Sequence, residues 1–170
     1  ASGASSLKIP AGTYRVGGNW VLGSTINIYG DGRGRTILKF TGSPGTSITI
    51  DGTSVHLFDL TVSHLTSDTF GVVVRADGCV IERVAVSGHG TAFSGSTAAS
   101  NWELRDCSAA LTAGGVGYDL DGGNSAAYRC SVSGTGATGA SLSSPSAAVP
   151  SGTLVDFDTS LATLTTDIVS

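Results

Sequence analysis

The stretch Val55-His56-Leu57-Phe58-Asp59-Leu60-Thr61-Val62 returns 24 residues later as Cys79-Val80-Ile81-Glu82-Arg83-Val84-Ala85-Val86. Two further copies follow at intervals of 23, Trp102-Glu103-Leu104-Arg105-Asp106-Cys107-Ser108-Ala109 and Ser125-Ala126-Ala127-Tyr128-Arg129-Cys130-Ser131-Val132. In each copy the first, third, sixth and eighth residues are apolar or small, so two short strands bury the same face. The parity breaks between them, where two consecutive residues point outward: Phe58-Asp59, Glu82-Arg83, Arg105-Asp106 and Tyr128-Arg129. That break marks a corner. Another alternating pair lies twelve residues before its anchor in three units, Ile48/Ile50 before Leu60, Val72/Val74 before Val84 and Tyr118/Leu120 before Cys130. Ile26/Ile28 stands in the same relation to Leu38/Phe40, whereas Phe93 sits fourteen before Cys107, a local insertion of two residues. Three short strands per unit of about 23 residues describe a parallel β-helix whose coils stack ~4.7–4.9 Å apart.

The corner residues check the register. Stacking the units aligns Asp59, Arg83, Asp106 and Arg129 in one column, with alternating sign, and sets Glu82 beneath Arg105 in the next. Each exposed pair contributes only ~0.2–1 kcal/mol, against roughly 1.5–3 kcal/mol for burying a large aliphatic side chain. Burial therefore holds the coils and charge helps select their alignment. Asp51-Gly52, Asp77-Gly78 and Asp121-Gly122 fall at turns, where a positive φ is expected. Cys107 and Cys130 stack inward, as a thiol column or a bridge; three cysteines alone support no disulfide framework.

Composition agrees. The 170 residues make one domain, with 40% hydrophobic residues but only 13% charged, no Met and two Glu. Soluble domains average about 25% charged. A helical bundle is excluded and a doubly wound α/β fold disfavoured, because the strong helix formers are nearly missing. Gly, Ser and Thr number 25, 24 and 20, which suits short strands and tight turns. The net charge of −4 and scattered Lys and Arg argue against nucleic acid as a partner. Apolar runs such as Gly71-Val72-Val73-Val74 fall far short of the roughly 18 residues of a membrane span, so no membrane partner is expected. No leader pattern is visible and the chain starts at Ala1, which suggests processing or a cut fragment.

Ile9-Pro10-Ala11-Gly12-Thr13-Tyr14-Arg15-Val16, followed by Ile26-Asn27-Ile28-Tyr29-Gly30-Asp31-Gly32-Arg33-Gly34-Arg35-Thr36-Ile37-Leu38, resembles the opening coils of the pectate-lyase-like superfamily of right-handed β-helices. That group includes polysaccharide lyases, glycoside hydrolases and many bacteriophage tailspike proteins. The resemblance implies an all-β, right-handed parallel β-helix of about five or six coils over residues 1–140. Residues 141–170, with Pro145 and Pro150, are expected to form an irregular extension, a cap or a subunit contact. Two departures stand out. Only Ala1 to Ser6 precede Leu7, too little for the family's capping helix, so a fragment or a partner-covered end is expected; the chain is also shorter than full enzymes.

Asp119 and Asp121 flank inward Leu120, so both carboxyls emerge on one face, about 6.5–7 Å apart along the strand. Inverting glycosidases hold their two carboxyls roughly 6.5–9.5 Å apart, with room for a water. Arg75 lies on the same face two coils below, with Ser94 and Ser96 between, and the set could line a sugar groove. Asp121 fits equally as the turn residue of Asp-Gly, and Asp119 as a solvated strand position. Phe58 and Tyr128 are the aromatics expected at outer corners, suited to sugar stacking. Gly88-His89-Gly90 is identical to a tripeptide of polygalacturonase-type members, which implies a sugar-site role for His89; the accompanying motifs are absent, and the tripeptide also makes a turn. No spacing resembles a metal site, and no cofactor is expected. The leading expectation is a tailspike or tail-fibre-type module that binds cell-surface or acidic polysaccharide, extracellular or on a virion, as a homotrimer or with other virion proteins. The alternatives are a polysaccharide lyase or glycoside hydrolase acting through Asp119 and Asp121, and a non-catalytic virion decoration protein. Fold analogy alone decides none of these.

Overall fold

A computed structural model describes residues 5–43, 45–64, 70–111, 114–121, 123–134, 138–141, 153–155, 158–159 and 166–169, the backbone alone from 138 onward. Every strand pairing in them is parallel, and the strands form two sheets, of 12 and 7 strands. The first sheet is two strips. One runs Ser5–Lys8, Ile26–Tyr29, His56–His64, Val80–Ser87, Glu103–Arg105, Ala126–Tyr128 and Thr153–Val155. The other runs Gly12–Val16, Thr36–Phe40, the second halves of His56–His64 and Val80–Ser87, then Ser108–Ala110, Ser131–Ser133 and Asp158–Thr159. The second sheet stacks Trp20–Leu22, Thr46–Ile50, Phe70–Val74, Thr91–Gly95, Val116–Asp119, Thr138–Ser141 and Thr166–Val169. Three strands per coil, wound right-handed as parallel crossovers are, make the expected parallel β-helix. The expected extension beyond residue 140 lies mostly outside the described residues; its described strands pair in parallel with the preceding coil.

The core is a set of stacked columns. Ile28, Leu57, Ile81, Leu104 and Ala127 form one, and Leu38, Val62, Val86, Ala109 and Val132 another, all at most 3% exposed. Phe93 and Tyr118 stack on the second sheet's inner face at 5.2 Å between centroids. Cys107 and Cys130 are buried free thiols, small apolar members of their column. The insertion expected before Cys107 sits in the turn after Thr91–Gly95, where Ala99 N–H donates to Ser96 O at 2.9 Å.

The corners have a backbone cause. Asp59, Arg83, Asp106 and Arg129 all adopt left-handed conformations, φ 50 to 61°. One such residue per coil bends the strand and breaks its parity. Left-handed non-glycine residues cost roughly 1–2 kcal/mol each, and the column partly offsets this through two bidentate pairs. Arg83 donates to both Asp59 oxygens at 2.7 and 2.9 Å, and Arg129 to both Asp106 oxygens at 2.7 and 2.8 Å. Glu82 and Arg105 stand in register, but Glu82 pairs with Arg83 and Arg105 with Glu103 on its own strand. Guanidinium forks reach the nearest carboxylate when the alternatives differ little in energy.

A second left-handed column, Ser54, Gly78, Asn101 and Asn124, turns the chain from the second sheet into the first. Asn124 donates to Asn101 Oδ1 at 3.2 Å. Of the expected positive-φ glycines, Gly78 is one (φ 68°), Gly122 lies outside the described residues, and Gly52 is not. The left-handed residue of that turn is Ser54, and Gly52 is needed instead because a Cβ there would lie 2.7 Å from the Ser24 backbone.

Candidate functional site

The outer face of the second sheet carries the column Val21, Thr49, Val73, Ser94, Asp119. These side chains face away from the core, yet Thr49, Val73 and Ser94 are only 2, 9 and 7% exposed. They form the floor of a shallow channel. On one flank stands the column Thr46, Phe70, Thr91, Val116, with Phe70 44% exposed. On the other, one residue beyond the pairing of Gly95 with Val74, Ser96 stacks on exposed Arg75, and Asp121 follows above.

At the upper end of the channel, Ser94 Oγ donates to Asp119 Oδ2 at 3.2 Å. Burial pushes the Asp119 carboxyl above its ordinary range, the Asp121 charge adds to this, and the Ser94 hydrogen bond opposes it. Burial also raises Asp121. Asp121 Oδ1 is enclosed and has no hydrogen-bond partner among the described residues. An acceptor left in that state costs about 1–3 kcal/mol. The core below positions the pair. Trp102, fully buried, donates Nε1–H to Asp121 O at 3.3 Å. Gly95 makes room for this, because a Cβ there would meet Asp121 O at 2.4 Å and the Trp102 ring at 2.5 Å.

The structure thus brings Asp119, Asp121 and Arg75 onto one face. Phe58 and Tyr128 stand elsewhere, in the outer corner column Tyr29, Phe58, Glu82, Arg105, Tyr128 of the first sheet. His89 reaches neither surface. Gly88 turns the chain with φ 76°, and His89 enters the core, shares a hydrogen bond with Ser47 Oγ at 2.9 Å and packs on His64. Burial lowers its pKa to about 4, reinforced by His64 and opposed by the Ser87 backbone, so it is a neutral core residue at pH 7 and not the sugar contact its tripeptide implies.

Phe70 is the residue that alternation hides. It shares parity with inward Val72 and Val74, but the ladder skips Gly71, as it skips Ser47 and Ala92 in neighbouring coils. That skip turns Phe70 out. The small side chains of the skipped column are its only signal: a Cβ on Gly71 would lie 2.4 Å from Val86 Cγ1. A separate, largely apolar cavity of about 310 Å3 is lined by residues including Ile9, Tyr14, Val16, Trp20 and Leu38, at the first coil. Among the described residues no group of three or more His, Cys, Asp or Glu could hold a metal ion.

No protein-family model and no curated protein matches the chain. Among solved structures it is similar to the A-module of mannuronan C-5 epimerase AlgE6 from Azotobacter vinelandii, with a TM-score of 0.64 and 16% identity over 91% of this chain. The chain spans 55% of that structure's length. At this identity the likeness shows the fold alone: the chain is a parallel β-helix.

Proposed function

We propose that the chain is a carbohydrate-binding module that lays a polysaccharide along the second sheet, from Phe70 and Arg75 up to Asp119 and Asp121. The observation that carries this reading is the carboxyl pair on one outer face, Asp119 bonded by Ser94 Oγ and both carboxyls raised above their ordinary range by burial. Carboxylates accept two hydroxyl hydrogen bonds well, and bonds to a charged acceptor are stronger than neutral ones. Phe70 offers a flat apolar face to a pyranose ring; it lies two coil spacings below Val116 and three residues before the Asp119 column, about 12–14 Å from Asp119. The epimerase A-module, by its name, acts on mannuronan, which makes that polymer the first ligand to try.

Calorimetric titration against a polysaccharide panel that includes mannuronan tests this. Binding of at least one polymer, weakened tenfold or more by Asp119→Asn with Asp121→Asn, supports the site. No binding across the panel, or binding untouched by the double variant, contradicts it. One observation also favours a lyase or hydrolase reading: a carboxyl with a raised pKa is suited to act as a general acid. Reducing ends or unsaturated products that form with the wild type and vanish in the double variant support that role; products that persist overturn it. In a tailspike-type setting, extracellular or on a virion, the same face meets a cell-surface glycan and the expected assembly is a trimer. A monomer in analytical ultracentrifugation counts against that setting alone.

A further inference from the structure

The corner of the first sheet holds a second constellation that the carboxyl face does not use. Arg105, Tyr128 and Arg129 line a cleft of about 210 Å3. Arg105 lies directly beneath Tyr128 in register. Arg129, left-handed at φ 50°, follows Tyr128 at the parity break, so two consecutive side chains point outward there.

Both guanidiniums are held in place from outside the cleft. Arg105 Nε–H donates to Glu103 at 2.9 Å, and Arg129 grips both Asp106 oxygens. Among the described residues, Glu103 and Asp106 are not part of the lining, and the wall consists of the two guanidinium planes and the phenol ring. Such planes, already ordered, lose little freedom on binding. Farther down the same column Phe58 stacks on Tyr29 at 5.5 Å and 10° between planes. Phe58 and Tyr128 are three coils apart, about 14–15 Å, so a polymer running along the helix axis would meet an aromatic face at both ends of the run.

We propose that this cleft is a second carbohydrate subsite, which takes an anionic sugar residue with its ring on Tyr128 and its acidic group between Arg105 and Arg129. The proposal rests on reading the chain as a polysaccharide binder, but on different residues and a different ligand charge. An acidic group of this kind is a carboxylate on a uronate or a sulfate ester, and guanidinium forks suit both.

NMR titration of the full chain with trigalacturonate, a sulfated galactose trisaccharide and neutral cellotriose tests it. The expected result is movement of the Tyr128 ring and Arg105 Nε–H signals with an anionic probe and not with cellotriose. Arg105→Gln and Tyr128→Ala should each weaken that binding about tenfold, whereas Asp119→Asn with Asp121→Asn should leave it unchanged. A response to trigalacturonate alone assigns a uronate, and a response to the sulfated probe alone assigns a sulfate; either supports the cleft. The proposal is overturned if neither anionic probe moves these signals, if cellotriose moves them equally, or if the acid-pair variant abolishes the response.

Discussion

Asp119 and Asp59 are two carboxylates on one solenoid that the fold pushes in opposite directions. Burial raises Asp119, so the fold favours its protonated form, and its ionised form destabilises the protein above its folded pKa. The hydrogen bonds from Arg83 lower Asp59, so its contribution is present above the unfolded pKa and is lost as pH falls through the folded one. Asp119→Asn should therefore raise the melting temperature at pH 7, and the gain should vanish as pH falls into the carboxylate range. Asp59→Asn should lower stability at pH 7 by up to ~1 kcal/mol, and the melting temperature with it, since the pair is partly exposed, with the difference also closing in acid. Thermal melts across pH read both signs. The left-handed corner gives another contrast. Arg83→Asn and Arg83→Val both lose the Asp59 pair, but a β-branched residue fits φ 52° badly. Urea titration should show the Val variant ~1–2 kcal/mol less stable than the Asn variant.

At the scale of the strand, Gly95 couples core to surface. A Cβ there collides with both Asp121 O and the Trp102 ring, so Gly95→Ala should cost about 1–3 kcal/mol, as overpacking does, and weaken sugar binding by shifting Asp121. Gly17→Ala, which meets nothing within 4 Å, should change stability by no more than about 0.5 kcal/mol. Chemical denaturation compares the two. The strands themselves were legible because burial imposes a period of two, and every column from Leu57 to Val132 obeys it. Alternation failed where the backbone leaves the ladder: Phe70 shares the parity of buried Val72 yet points out, since the skip at Gly71 leaves only a small residue as its trace. His89 departs for a related reason. The identity of its tripeptide implies a sugar contact, and only the path set by Gly88 carries it to Ser47 in the core. The Glu82–Arg105 pair failed because exposed pairs differ by too little to choose one partner from column position.

At the scale of the whole molecule, the solenoid offers two outer faces of different charge. The second sheet presents Asp119 and Asp121 above Arg75 and Phe70; the corner of the first presents Arg105, Tyr128 and Arg129. Both run along the stacking axis, the direction in which a repeating polymer and a repeating protein surface can stay in step. The carboxyl face was readable in outline, because Asp119 and Asp121 alternate around Leu120. Its enclosure was not, because the depth of Thr49, Val73 and Ser94 depends on flanks that only the folded coils create. The decisive measurement is a crystal structure with an oligosaccharide of the polymer selected by calorimetry. The ligand should lie over Thr49, Val73 and Ser94, with a sugar hydroxyl within hydrogen-bond distance of the Asp119 or Asp121 carboxyl. A bound oligosaccharide that leaves that face empty would contradict the assignment.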